Sequence, residues 1–184
     1  MTVTLKNIKK SYGNRIIFDN FNREIVFDKP VVFMGESGVG KTTLARMIAG
    51  LEKSDFGEIL GVPEAVSFMF QEDRLLPWLS TKENVEYVSD GKAADYYLER
   101  VLLCGEKDTL VSELSGGMKR RVALARALAY KSELVILDEP FKGLDIELKK
   151  KMIALILEEK RQFLIITHEA EDAVLLGANV INIQ

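Results

Sequence analysis

The residues from Gly35 to Thr42 have the spacing of a phosphate-binding loop, G-x-x-x-x-G-K-T. Glycines let consecutive backbone N–H groups turn toward one anion, and a following helix directs the positive end of its dipole at the same anion. Lys41 is placed to reach the terminal phosphates, and Thr42 offers a hydroxyl to Mg²⁺. The residues predicted to surround the phosphates are Gly35, Glu36, Ser37, Gly38, Val39, Gly40, Lys41, Thr42 and Thr43.

The elements on either side of this loop support the same prediction. Val31–Met34 is a short apolar run typical of a buried parallel strand, and Thr43–Ala49 continues with helical spacing until Gly50. A chance glycine-rich turn is the alternative. The order strand, loop and helix favours a nucleotide site over it.

Polar residues also follow three further predicted strands. Gln71 follows Ala65–Phe70, Asp138 and Glu139 end the run from Glu133 to Leu137, and His168 follows Phe163–Thr167. The carboxyl ends of the strands are where doubly wound sheets bind ligands. We therefore expect these side chains near the phosphate-binding loop.

Two other segments have a less specific pattern. Ser115, Gly116 and Gly117 precede an apolar helical stripe from Lys119 to Tyr130, which predicts a second anion-binding helix start. Tyr12 lies just before the turn that Gly13 and Asn14 predict in an antiparallel β start. Its ring fits either a solvent-facing turn or a platform for a nucleotide base.

The composition restricts the class of protein. A chain of 184 residues with 47% hydrophobic content suits one domain with a substantial core. No apolar run approaches the roughly 18 residues of a spanning helix, and the N-terminus lacks the pattern of a signal peptide, so we expect a cytosolic protein. The net charge of −3 does not suggest a large sequence-independent affinity for nucleic acid.

Several segments have only a structural interpretation at this level. The single cysteine, Cys104, is expected to be a small buried apolar residue. Lys149–Lys151 is expected to be a solvated helix face, and residues 92–103 are expected to be helical. The apolar cluster from Leu75 to Leu79 fits either inward packing or an exposed partner-binding patch.

These motifs together resemble the ATP-binding cassette family, in the family's order and over nearly the whole chain. Leu-Ser-Gly-Gly upstream of a strand that ends in Asp-Glu-Pro is highly specific for it. The segments that carry the resemblance are the phosphate-binding loop, Gln71, Leu114–Met118, Leu134–Pro140, Gly143–Asp145 and His168. The resemblance implies an α/β fold: a P-loop NTPase core with a mainly parallel sheet, a small antiparallel β-subdomain and a helical signature subdomain at about 72–130, in one domain spanning 1–184.

The resemblance also implies a role for each matching residue. Lys41 and the loop amides hold the phosphates of ATP, and the Mg²⁺ ligands are Thr42, Gln71 and Asp138. Glu139 is implied to be the catalytic carboxylate, against the alternative of a structural ion pair at a strand end. His168 corresponds to the family's switch histidine, Gln71 approaches the attacking water, and Tyr12 corresponds to the base-stacking aromatic.

In this family the signature residues complete the ATP site of a second subunit. The resemblance therefore implies an ATP-dependent head-to-tail homodimer, with Ser115, Gly116, Gly117 and Asp145 at its interface. The segment from Gln71 to Trp78 resembles importer ATPases of the nitrate, sulfonate and taurine group. A membrane permease is then the implied partner, bound partly through the Leu75–Leu79 cluster, with a core role for Trp78 as the alternative. The implied location is the cytoplasmic face of the cell membrane.

The chain also departs from the family pattern. Most relatives carry a longer β-subdomain between two strands that only Gly61–Ser67 separates here. The sequence also stops soon after its last strand. We therefore expect a shortened cassette. Arg120 stands where many relatives have glutamine, and it is interpreted with Arg121 as one helical face.

The alternatives to an importer ATPase are an exporter subunit, a soluble cassette acting on nucleic acid or ribosomes, and a P-loop small-molecule kinase. The kinase alternative leaves Ser115–Gly117 and His168 unexplained.

Overall fold

The computed structural model describes residues 1–184 as two β-sheets and six α-helices. The strands are β1 (Thr2–Tyr12), β2 (Arg15–Val26), β3 (Val31–Met34), β4 (Phe56–Leu60), β5 (Val66–Met69), β6 (Leu134–Asp138), β7 (Gln162–Ile166) and β8 (Asn179–Asn182). The helices are α1 (Lys41–Ile48), α2 (Thr81–Glu86), α3 (Gly91–Arg100), α4 (Gly116–Ala129), α5 (Ile146–Glu158) and α6 (Ala170–Leu175). No helix is long and apolar enough to cross a membrane.

The larger sheet is parallel and has the order β5-β6-β7-β3-β8. Its central strands are buried on both faces, so they are continuous apolar runs rather than alternating ones. All five residues of β6 are buried. The carboxyl ends of β3, β5, β6 and β7 therefore meet at one edge, where the predicted polar residues lie.

The smaller sheet is antiparallel, with the order β2-β1-β4. The hairpin between β1 and β2 turns at Gly13 and Asn14, as predicted. Inward side chains of this hairpin, such as Leu5 and Phe18, share one core cluster with Phe33 of β3 and Leu44 of α1. The expected α/β fold, with a mainly parallel sheet and a small antiparallel sheet, is confirmed.

The helices α2 to α4 pack together and share a core with β6 that includes Leu98, Val122 and Leu137. α2 begins with a capping box, in which Ser80 and Glu83 satisfy each other's backbone N–H groups. The structure ends α3 at Arg100, three residues before the predicted end. Leu102 adopts a left-handed φ of 59°, which ends the helix.

Two predictions about side-chain environment are wrong. Cys104 is exposed, because it lies on a short 3-10 turn at the surface (Cys104–Glu106). Lys149 is only 5% exposed, whereas Lys150 and Lys151 face solvent. Consecutive residues are about 100° apart on a helix, so three adjacent lysines cannot share one face.

Candidate functional site

The phosphate-binding loop closes tightly between β3 and α1. Gly40 has a φ of 107°, and a Cβ atom there would lie 2.5 Å from Ile17 Cγ2, so only glycine fits. Lys41 is 8% exposed. Its Nζ donates hydrogen bonds to the carbonyl oxygens of Gly35 (2.8 Å) and Glu36 (2.7 Å), which hold the ammonium group inside the loop.

One cavity of about 370 Å³ opens beside this loop. It brings together predicted residues from four separate segments: Tyr12, Ser37, Gly38, Gly40, Lys41, Thr42, Thr43, Gln71, Asp138 and Glu139. Three more residues that the sequence analysis did not select line it as well: Arg15, Ile17 and Ile166. The volume, the glycine-rich loop and the cations Arg15 and Lys41 suit a nucleotide polyphosphate.

Thr42 and Asp138 meet inside this cavity. The Thr42 hydroxyl donates a hydrogen bond of 2.8 Å to Asp138 Oδ2, and Asp138 is only 1% exposed. Burial raises the pKa of the Asp138 carboxyl, and the hydrogen bond from Thr42 acts against this rise. Hydroxyl, carboxylate and the nearby Gln71 amide are hard oxygen donors, which suit Mg²⁺. No group of three or more acidic, histidine or cysteine residues converges on a metal position.

Glu139 and His168 lie side by side at the ends of β6 and β7. His168 Nδ1 is 3.0 Å from Glu139 Oε1 and 3.1 Å from Oε2, and this hydrogen bond raises the pKa of His168. Glu139 has a φ of 53°, the left-handed region that a residue with a Cβ atom rarely occupies. The carboxylate is mostly covered and the imidazole ring mostly exposed, so the pair faces both the cavity and solvent.

A buried network fixes the loop that carries His168. Thr167 Oγ1 donates to Asp172 Oδ2 at 2.7 Å and accepts from the Glu169 backbone N–H at 3.1 Å. Lys149 Nζ lies 2.9 Å from Asp172 Oδ1 and also pairs with Glu169. The helix α5 is thereby joined to the segment on both sides of His168.

Tyr12 and Arg15 face each other across the hairpin turn at the mouth of the cavity. The Tyr12 hydroxyl donates to Glu52, and Arg15 Nη2 donates to the Gly38 carbonyl at 2.8 Å. Burial, followed by this bond to Glu52, raises the pKa of Tyr12. Strand alternation from the predicted turn places Arg15 and Ile17 on one face, and this signal could have identified both.

The signature residues lie outside the cavity that their own chain's loop forms. Ser115 caps α4, accepting a hydrogen bond of 3.3 Å from the Met118 N–H, and Asp145 caps α5. Gly116 and Gly117 line a separate depression together with Gln71, Asp73, Arg120, Lys142 and Gly143.

The cluster from Leu75 to Leu79 divides between core and surface. Leu75 packs against the core, whereas Trp78 is 70% exposed, so the alternative that Trp78 packs inward is wrong. The fully buried Asn84 side chain bonds the backbone of Leu76, Leu79 and Ser80. These bonds hold the cluster in place with Trp78 facing solvent.

Known proteins resemble this chain in both sequence and fold. A sequence profile of the family described as ABC transporter matches residues 18–142. An aliphatic sulfonates import ATP-binding protein, SsuB 2 of Pseudomonas syringae pv. syringae (strain B728a), is 40% identical over 187 residues, which cover 97% of this chain and 68% of the relative. The corresponding SsuB protein of Yersinia pestis is 38% identical over 196 residues, which cover 99% of this chain and 72% of the relative.

Two solved structures have the same fold. One is a dimeric post-hydrolysis state of an ATP-binding cassette bound to ADP and Pi, with a TM-score of 0.88, 28% identity, and coverage of 99% of this chain and 94% of that one. The other is a bacterial Atm1-family ABC exporter with ATP bound, with a TM-score of 0.88, 23% identity, and coverage of 100% of this chain and 37% of that one. At that identity the exporter supports the fold alone.

Proposed function

Because the chain belongs to the ABC transporter family, we propose that it is the ATP-hydrolysing subunit that drives solute import through a separate membrane permease. The observation that carries the proposal is the single cavity in which the phosphate-binding loop, the Thr42–Asp138 pair and Glu139 meet. The names of the sulfonate import relatives support the direction of transport.

The residues of the cavity divide the chemistry among them. Lys41 and the loop amides bind the phosphates. Thr42, Gln71 and Asp138 would hold a Mg²⁺ ion, which would offset negative charge on the phosphate oxygens. Glu139 orients or deprotonates the water that attacks the γ-phosphate. Its hydrogen bond with His168 holds the imidazole beside the carboxylate. His168 is the residue proposed to hydrogen-bond the γ-phosphate.

A second copy of the chain supplies the rest of each site. Ser115, Gly116, Gly117 and Asp145 lie away from their own cavity, so a head-to-tail dimer lets them contact ATP that the opposite copy binds. The start of α4 offers unpaired backbone N–H groups and the positive end of a helix dipole to that nucleotide. The dimeric cassette of the same fold supports this arrangement.

The permease is the second proposed partner. The cluster from Leu75 to Leu79, with Trp78 exposed at its surface, forms part of a groove for a helix of that membrane protein. Such binding places the chain at the cytoplasmic face of the membrane.

ATP hydrolysis by the purified chain, alone and with a candidate permease, tests the proposal. A Glu139→Gln variant is expected to lose about 10²- to 10⁴-fold in rate, because it lacks the base, while ATP binding persists. This variant, loaded with ATP and Mg²⁺, is also expected to elute as a dimer. Elution as a monomer at high concentration would contradict the dimer, and activity that ignores permeases but responds to RNA or ribosomes would overturn the transport role.

A further inference from the structure

Arg120 is buried and Arg121 binds a different segment of the chain, so the interpretation of the two arginines as one helical face is wrong. Arg120 lies in the second turn of α4 and is only 5% exposed. Its guanidinium group reaches the two segments that carry Gln71 and Glu139, which are about 50 and 20 residues away along the chain.

One edge of the guanidinium group binds the segment around Gln71. Nη1 donates to the carbonyl oxygens of Phe70 (3.1 Å) and Gln71 (2.9 Å) and to Asp73 Oδ1 (2.8 Å). The Asp73 carboxylate is the one acidic partner that this buried cation has. Charge-assisted bonds of this kind are stronger than neutral ones.

The other edge binds the end of β6. Nη2 donates to the Asp138 carbonyl at 2.6 Å, and Nε donates to the Glu139 carbonyl at 3.0 Å. Nη2 also contacts the Glu139 carbonyl. These bonds hold the peptide of a residue whose left-handed backbone is otherwise disfavoured.

We propose that Arg120 is a positioning residue for ATP hydrolysis, which fixes the backbone of Glu139 and that of Gln71 at a set distance from each other. The planar guanidinium group has donors in a rigid fork, so it holds both segments at once. A lysine ammonium group keeps the charge but lacks that fork. The inference rests on the proposed role of Glu139 as the catalytic carboxylate.

The location of Arg120 also connects the signature to the catalytic carboxylate. Ser115, the cap of α4, is about one turn away from Arg120 on the same helix. Arg120 therefore joins the helix that begins after Ser115 to the peptides of Glu139 and Gln71.

Two other arginines of α4 provide matched comparisons. Arg126 donates to the carbonyl oxygens of Asp73 and Arg74, both at 2.9 Å, so it binds the segment after Gln71 without contacting Glu139. Arg121 donates to the carbonyl oxygens of Val101 (2.8 Å) and Leu102 (2.9 Å), away from the cavity.

Steady-state ATP hydrolysis by Arg120→Lys tests the proposal, with Arg121→Lys as the control. We expect kcat of Arg120→Lys to fall at least about tenfold while KM changes less than about threefold, because a catalytic group displaced by about 1 Å loses rate without losing ground-state binding. Arg121→Lys is expected to keep the wild-type kcat. The kcat of Arg126→Lys is expected to lie between the values of these two variants.

The proposal is overturned if kcat of Arg120→Lys stays within about twofold of wild type, or if Arg121→Lys loses as much. Thermal unfolding identifies a variant that has lost its fold, and Arg120→Met, which keeps a long unbranched side chain but has no donor for either segment, then replaces it with the same expected split. Glu139→Gln in the same assay distinguishes failure of the proposed catalytic role of Glu139 from failure of the positioning role of Arg120. If that variant keeps its rate, the proposed role of Glu139 fails; if it loses its rate while Arg120→Lys does not, only the positioning role fails.

Discussion

At the scale of the residue, Glu139 at the cavity wall forms a hydrogen-bonded pair with His168. The hydrogen bond between them raises the pKa of His168, so the pair is strongest when the imidazole is protonated. His168 is the one histidine in the chain, which makes its titration separable from other groups.

The sign of this shift predicts how stability depends on pH. The stabilisation from His168 is complete below its unfolded pKa of about 6.5 and is lost as the pH rises through the raised folded pKa. Wild type should therefore exceed His168→Gln in unfolding free energy near pH about 5.5, and the difference should disappear in alkaline solution. Urea unfolding of both proteins across this range measures it, and a difference that is constant or grows with pH would contradict the pairing.

At the scale of the element, α5 is joined to the loop after β7 by a buried ion pair. Lys149 and Asp172 are 5% and 2% exposed, and Thr167 bonds the same carboxylate. The position of His168 therefore depends on how α5 packs on the sheet.

Removal of this buried cation should destabilise the chain more than removal of its neighbour. Lys149→Met leaves two carboxylates without their partner, and breaking a buried pair costs about 3–5 kcal/mol. Lys150→Met removes an exposed lysine 3.4 Å from Glu147 and is expected to change stability by less than about 0.5 kcal/mol. Denaturant unfolding of both variants measures the loss of unfolding free energy. Equal losses would show that the buried ion pair stabilises the fold no more than the exposed lysine does.

The Leu75–Leu79 cluster is a second element with a testable role. Because Trp78 is 70% exposed, the unfolding free energy of Trp78→Glu should stay within about 0.5 kcal/mol of the wild-type value. The variant should also retain ATP hydrolysis. It should abolish assembly with the permease, measured by co-purification. Leu75→Glu provides the contrast, since that side chain packs on the core and its substitution should lower stability. If Trp78→Glu assembles normally with the permease, the cluster is not part of the interface.

At the scale of the whole molecule, the proposed dimer makes each site a product of two chains. Lys41→Ala damages the phosphate-binding loop, and Ser115→Arg damages the signature, so each variant alone should be inactive. In an equal mixture about half of the dimers are mixed and each has one intact site, so about a quarter of the wild-type activity should return. Steady-state ATPase assays of the separate and mixed proteins measure this. No recovery on mixing would show that each chain uses its own signature.

The sequence alone determined the features that depend on local spacing. The phosphate-binding loop and the turn at Gly13 each require a few residues at fixed offsets, and buried strands require continuous apolar runs. Polar residues that end such strands, among them Asp138 and His168, were predictable because parallel strands meet at one edge.

Only the tertiary structure decided the features that depend on which residues face each other. Lys149 and Arg120 lie in charged stretches of the sequence. No local sequence pattern distinguishes them from their solvated neighbours. Their burial depends on partners far along the chain, such as Asp172 and Phe70. Trp78 is likewise exposed in a segment that Asn84 bonds on either side, at Leu76 and Leu79. A buried cation is stable only where carbonyl and carboxylate oxygens converge on it, and that convergence is a property of the folded chain.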